Sequence, residues 1–124
     1  MQAERRKYRR FEIPGGTAKI AKTQGFSLLK PFSSSFPLMN VCMGGVNILC
    51  NRELNTGENF LLELKAPGEK TIKVHAKVIW TNPVPLSNEI ITGFELAPYG
   101  DDKNLNSSES LNILRRLYAK YIKS

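Results

Sequence analysis

From Ile72 to Trp80 every second residue is apolar: Ile72, Val74, Ala76, Val78 and Trp80 fall on one side, Lys73, His75 and Lys77 on the other. A period of two belongs to a β-strand with one buried and one wet face, because successive side chains leave a strand on opposite sides. Pro83 and Pro85 end the segment, since proline offers no N–H to a ladder. A half-buried strand needs partners, and the chain supplies them. Phe60, Leu62 and Leu64 alternate with Leu61, Glu63 and Lys65. Glu89–Leu96 places Phe94 and Leu96 on the core side with Gly93 between them. Thr17–Lys22 alternates more weakly, with Ala18 and Ile20 on one face, and Leu38–Met43 and Val46–Cys50 read as two short strands divided by Gly44-Gly45.

The punctuation agrees with hairpins. Pro14-Gly15-Gly16, Asn55-Thr56-Gly57 and Pro67-Gly68 are turn sequences, and glycines at 44 and 45 permit positive φ and a close backbone approach. Thr23–Pro37, with Gly25, two prolines and Ser33-Ser34-Ser35, reads as a long connection holding a short extended piece at Phe26–Leu29. Residues 97–105 are polar and loop-like. The period then changes. Leu111, Leu114, Leu117/Tyr118 and Tyr121/Ile122 recur at helical spacing, with Asn112, Arg115, Arg116 and Lys120 on the wet face. Asn106 followed by Glu109 resembles a capping box, which predicts a helix over about residues 106–122. Six or so strands and one closing helix predict an all-β fold, a small antiparallel barrel plugged or flanked by the helix.

At 124 residues the chain is one domain, large enough for a core without disulfides or metal. No apolar run approaches twenty residues, so no membrane span is expected. The basic N-terminus lacks the apolar stretch of a secretory signal, and the cytoplasm is the expected compartment. Cys42 and Cys50 have no metal-type partner spacing and read as reduced, packed thiols. His75 is the only histidine, on the solvent side of its strand. One histidine without clustered carboxylates argues against a zinc site or a catalytic triad. No carboxylate pair or activated nucleophile stands out, so neither an enzyme nor a cofactor is expected.

The net charge of +7 favours an anionic partner. Positive charge gathers in the last ten residues and in the first ten, where Glu4-Arg5-Arg6-Lys7-Tyr8-Arg9-Arg10-Phe11 packs four arginines into six positions. A guanidinium fork matches phosphate oxygens, stacks on a base face, and donates to guanine O6 and N7 together, a pairing worth about 1–3 kcal/mol of discrimination. Arg6 and Arg10, four residues apart, can therefore hold a base edge and a phosphate at once. Asn40 adds an amide with both a donor and an acceptor, and Gly44 and Gly45 leave room for a flat ligand. Each element also has a plain structural reading: a basic tail, a turn residue capping its own backbone, a tight hairpin. The plain reading of Trp80 is barrel core, and that of Arg115, Arg116 and Lys120 is solvated charge.

Arg6-Lys7-Tyr8-Arg9-Arg10 resembles the RxxxR motif of PilZ domains, and Asn40-Val41-Cys42-Met43-Gly44-Gly45 resembles their (D/N)xSxxG motif. The alternating Ile72–Trp80 strand, Gly93-Phe94-Glu95-Leu96 and the C-terminal helix extend the resemblance over nearly the whole chain. It implies a six-stranded antiparallel barrel at residues 13–124 behind a basic arm at 1–12, and a bacterial receptor for cyclic di-GMP. Arg6 and Arg10 would engage guanine edges and phosphates, Asn40 would hydrogen-bond a guanine, and Gly45 would permit the turn beneath the ligand. Arg5, just before the motif, would favour a self-intercalated ligand dimer by stacking on the added guanine. Cys42 departs from the pattern, standing where the family has serine, and a thiol is the weaker hydrogen-bond partner.

Three functions follow from these features. The first is a cyclic di-GMP receptor whose arm orders on ligand and changes the surface offered to a downstream effector protein. The second is a protein-interaction module that keeps the barrel without binding nucleotide, with Cys42 as its support. The third, a sequence-tolerant nucleic-acid binder, suits the basic arm but lacks stacking platforms, since Phe60, Trp80 and Phe94 all read as core and Tyr8 is the exception.

Overall fold

The computed structural model describes residues 10–24, 27–28, 31–42, 44–100 and 105–122. Seven strands and one helix follow in order: β1 Thr17–Gln24, β2 Ser27–Leu28, β3 Phe36–Cys42, β4 Gly45–Cys50, β5 Asn59–Lys65, β6 Ile72–Pro83, β7 Ile90–Leu96 and α1 Ser108–Tyr121. The sheet order is β2-β1-β3-β4-β7-β6-β5, and a β1–β5 pairing closes it, so six antiparallel strands form a barrel and the two-residue β2 is appended to β1. Closure leaves no free sheet edge among the six, which removes the usual route to edge-to-edge association.

The alternating residues fill the barrel. Phe60, Leu62 and Leu64 of β5 and Ile72, Val74, Ala76 and Val78 of β6 are buried, as are Ala18, Ile20, Val41, Val46, Ile48, Phe94 and Leu96. Phe60 meets Phe94 edge-on across the interior, at 6.0 Å between ring centroids. Cys50 is buried in the same core, and burial pushes its thiol pKa up. Helix α1 covers this core with Ile113, Leu114 and Leu117 and leaves Asn112, Arg115, Arg116 and Lys120 exposed. Arg116 and Lys120 reach Glu69 in the β5–β6 turn at 3.5 and 3.1 Å. Their hydrogen bonds and charge hold that carboxyl below its ordinary pKa, the Lys120 bond first.

Two sequence expectations are corrected here. Asn106 does not cap the helix. Ser107 does, its hydroxyl accepting from the Ser110 N–H at 3.1 Å. Asn106 is buried and fastens the incoming loop to the sheet. Its Oδ1 accepts from the His75 N–H at 2.7 Å, and its Nδ2 donates to the His75 and Ala97 carbonyls at 3.1 and 2.9 Å. Gly45 does not serve a positive φ, because left-handed glycines among the described residues are Gly15, Gly57 and Gly68. A Cβ at Gly45 would lie 2.6 Å from the Phe94 carbonyl oxygen, so close approach of β4 to β7 is what requires glycine.

Trp80 is not barrel core either. β6 bulges between Val78 and Trp80, where Val78 pairs with Phe94 and Trp80 with Gly93. The extra residue, Ile79, points outward and is 45% exposed. The bulge reverses the alternation, and Trp80 lies half-buried on the outer face rather than in the core.

Candidate functional site

A second bulge, in β3 between Leu38 and Asn40, does for Asn40 what the first does for Trp80. Strict alternation from Phe36 and Leu38 would turn Asn40 inward. With Met39 as the extra residue, Asn40 faces out and Val41 returns to the core. The ladder then aligns one row across four strands of the outer face: Asn40 opposite Asn47, Asn47 opposite Gly93, Gly93 opposite Trp80. The next outward row runs Cys42, Gly45, Glu95, Lys77.

The two rows, Lys77 excepted, floor a cleft of about 1100 Å³. Its walls include Pro98 and Tyr99 after β7 and Leu111, Arg115, Tyr118 and Ala119 of α1. Arg10 stands at its edge, placed by its neighbour. Phe11 makes a two-bond bridge to Val41 of β3, 2.7 Å one way and 2.8 Å the other. Its ring is buried 5.7 Å from the Tyr118 ring, edge to face. Anchoring Phe11 to β3 and α1 together carries Arg10 to the mouth beside Asn40 and Cys42.

Several polar groups on the floor are already oriented. Asn47 Nδ2 donates to Asn40 Oδ1 at 2.9 Å, so the Asn40 amide is held by its oxygen. The Trp80 indole lies over Gly93, where any Cβ would collide with Nε1 and Cε2 of the ring. The glycine thus makes the bed on which the ring rests, and the ring contributes a flat apolar surface to the cleft. Arg10 and Arg115 bring positive charge and Glu95 a negative one.

Of the residues singled out from sequence, Arg10, Asn40, Cys42, Gly44 and Gly45 line this one cleft. Arg5 and Arg6 lie outside the described residues. Trp80, Asn47, Gly93 and Arg115 belong to the cleft and were not singled out as site residues. The signals for Trp80 were present: an apolar Ile79 on the supposed wet register, and a glycine in the opposing strand where a large ring needs space. Among the described residues, no three His, Cys, Asp or Glu side chains cluster as metal ligands, and no helix is long and apolar enough to cross a membrane.

No protein-family model and no curated protein sequence matches this chain. Solved structures do. The PilZ domain of YcgR from Escherichia coli, solved with c-di-GMP, superposes with a TM-score of 0.65 at 20% identity, over 94% of this chain and 91% of that one. The chain has the PilZ fold. The Bacillus subtilis inhibitor of motility, MotI (DgrA), superposes with a TM-score of 0.63 at 18% identity. That match covers 97% of this PilZ-like chain and 55% of MotI, so the chain spans about half of MotI's length. In this PilZ-like barrel, Asn40 and Cys42 at the end of β3, Gly44 just before β4 and Gly45 at its start, all from the (D/N)xSxxG-like segment, line the cleft floor.

Proposed function

We propose that this PilZ-like domain is a non-enzymatic receptor for cyclic di-GMP in the bacterial cytoplasm, and that ligand draws the arginine arm onto the barrel and alters the surface shown to an effector protein. The observation that carries this is convergence. Arg10, Asn40, Cys42, Gly44 and Gly45, drawn from two motifs thirty residues apart, meet in one cleft with a flat indole on its floor. The cleft is roomy enough for a dinucleotide, since small-molecule sites usually measure about 300–1,000 Å³. In this reading Arg10 and Arg6 hold phosphate and guanine edge, Asn40 bonds a base, Trp80 offers a face for stacking, and Arg115 adds charge from the helix. Arg5 stacks on a second, intercalated ligand. YcgR's PilZ domain with c-di-GMP supports the ligand, and MotI, an inhibitor of motility, supports a regulatory output through another protein.

Calorimetric titration with cyclic di-GMP tests the reading. Wild type is expected to bind, and Arg6→Ala and Arg10→Ala each to lose at least about tenfold, because a hydrogen bond to a charged group contributes about 1.5–3 kcal/mol. Equal heats in all three proteins, or none in wild type, would remove it.

A second reading, an interaction module of the same fold that binds no nucleotide, is favoured by two residues. Cys42 offers a thiol where the family has a hydroxyl, and Glu95 places a carboxylate in the cleft. Binding that appears only in Cys42→Ser would select this reading.

A further inference from the structure

The described residues leave three large hydrophobic side chains exposed, Met39, Ile79 and Leu86, and all three belong to the β3-β4-β7-β6 side of the barrel that carries the cleft. Between the cleft floor and the β6–β7 tip, the same outer face shows Leu49 opposite Ile91, both half-buried and two residues along from Asn47 and Gly93. Leu86 is fully exposed at that tip, and it is the only non-glycine among the described residues with a positive φ, 62°. That conformation suits glycine or asparagine and is unusual for a bulky side chain. The tip is nevertheless firmly built. The Val84 N–H donates to the Glu89 carbonyl at 2.9 Å, the Glu89 N–H to Ser87 Oγ at 3.0 Å, and the Ser87 hydroxyl to the Val84 carbonyl at 3.1 Å. Backbone strain and exposed apolar surface fall on one leucine, and at full exposure no contact within the chain offsets them.

We propose that this face is a two-fold dimer interface, in which the Leu86 tip of each copy enters the cleft of the other. Shape and charge both fit a second copy. The tip is convex, uncharged from Thr81 to Asn88, and followed by Glu89. The cleft is concave, offers Ile79, Trp80 and Leu111 as apolar surface, and carries Arg10 and Arg115 against one carboxylate, Glu95. The last ladder pair before the tip, Pro83 with Ile90, lies three residues beyond Trp80 with Gly93, about 10 Å along the strands. Cleft and tip therefore occupy opposite ends of one face. A two-fold axis through the Leu49–Ile91 strip brings each tip to the other cleft and lays strip on strip, a self-complementary contact. That strip is free of charge, which a chain of net charge +7 needs in order to approach its own copy. In the dimer Leu86 packs on Trp80 of the other copy and Glu89 meets its Arg115. Tip and nucleotide claim the same cleft, so cyclic di-GMP separates the copies; that step alone rests on the receptor reading above.

Analytical ultracentrifugation of the full chain over a concentration series tests this. The mass of wild type is expected to rise to twice that of the monomer and level off there. Leu86→Asn removes the apolar side chain and suits the left-handed backbone, so the fold is kept. It is expected to weaken the dimer by at least about tenfold, since each dimer buries the leucine twice. Glu89→Arg sets like charges together in the tip–cleft contact and is expected to weaken the dimer, as is Arg115→Glu. The two together restore opposite charges and are expected to recover it. Saturating cyclic di-GMP is expected to return wild type to monomer.

A wild type that stays monomeric throughout, or whose mass grows past the dimer, overturns the proposal. So does a Leu86→Asn variant that dimerises as wild type does, or a charge-swapped pair no better than its single variants. Cyclic di-GMP that binds by calorimetry and leaves the dimer intact shows that the tip is not in the cleft, and overturns it too. Absence of cyclic di-GMP binding removes the receptor reading alone, and the Leu86 and charge variants then decide the dimer.

Discussion

A methyl group at residue 45 would press on the Phe94 carbonyl oxygen, whereas one at residue 93 would press on the Trp80 ring. Backbone cannot yield without moving β4 away from β7, but an indole on the outer face can swing away. Gly45→Ala is therefore expected to lower stability by about 1–3 kcal/mol, the usual range for overpacking, read as a fall in the denaturant midpoint. Gly93→Ala is expected to cost less stability and instead to red-shift tryptophan emission, since Trp80 is the only tryptophan. If the two variants shift the midpoint equally and leave emission unchanged, the indole does not rest where described. The residue scale is also where sequence reading was least complete. Asn40 and Gly45 could be named from a motif, but Asn47 belongs to none, and its role depends on a partner seven residues away across a bulged hairpin.

Among the elements, β6 shows what periodicity reveals and what it hides. Ile72 to Val78 alternate as read, because the barrel interior selects them one by one. The pattern fails at Ile79, where a bulge inserts a residue and reverses the faces beyond it. β3 fails in the same manner at Met39. Both failures sit at the cleft, where each bulge turns one side chain, Asn40 or Trp80, to the outer face. The start of α1 was misplaced by one residue because Asn106 and Ser107 are both good caps, and only the fold shows that the Asn106 amide is engaged by β6 and the segment after β7.

Asn106→Ala strips three bonds from a buried site, and is expected to lower stability by about 1–3 kcal/mol in a urea titration. An unchanged midpoint would contradict its role as a fastener. His75 on the same strand gives a pH test. Burial lowers its pKa from the ordinary 6.5, so the unfolded chain takes up the proton first as pH falls. The contribution of neutral His75 is complete above about pH 6.5, shrinks below it, and levels off once the folded imidazole itself protonates. Thermal midpoints measured from pH 7.5 to 5.5 are expected to fall more steeply for wild type than for His75→Gln. Parallel slopes would show that burial of His75 has no such effect.

Over the whole molecule, the parts that close and cover the barrel also line the cleft. β1 seals the barrel against β5, Phe11 bridges to β3, and α1 packs over the core while presenting Tyr118 to Phe11 and Arg115 to the cleft. The site therefore draws on the N-terminal segment, the β3–β4 hairpin, β6–β7 and the C-terminal helix, parts spread over most of the chain. The barrel class and the helix were legible because each strand announces itself locally by period two and each turn by glycine or proline. The joint cleft was not, since it depends on strand order and on two bulges. Nuclear magnetic resonance with ¹⁵N-labelled protein and cyclic di-GMP reads all of these parts at once. The expected result is ligand-dependent shifts concentrated at Arg10, Asn40–Gly45, the Asn47 side-chain amide, the Trp80 indole N–H and residues 111–119. Shifts confined to the opposite face of the barrel, on β1 and β5, or no shifts at saturating ligand, would contradict a nucleotide cleft at this place.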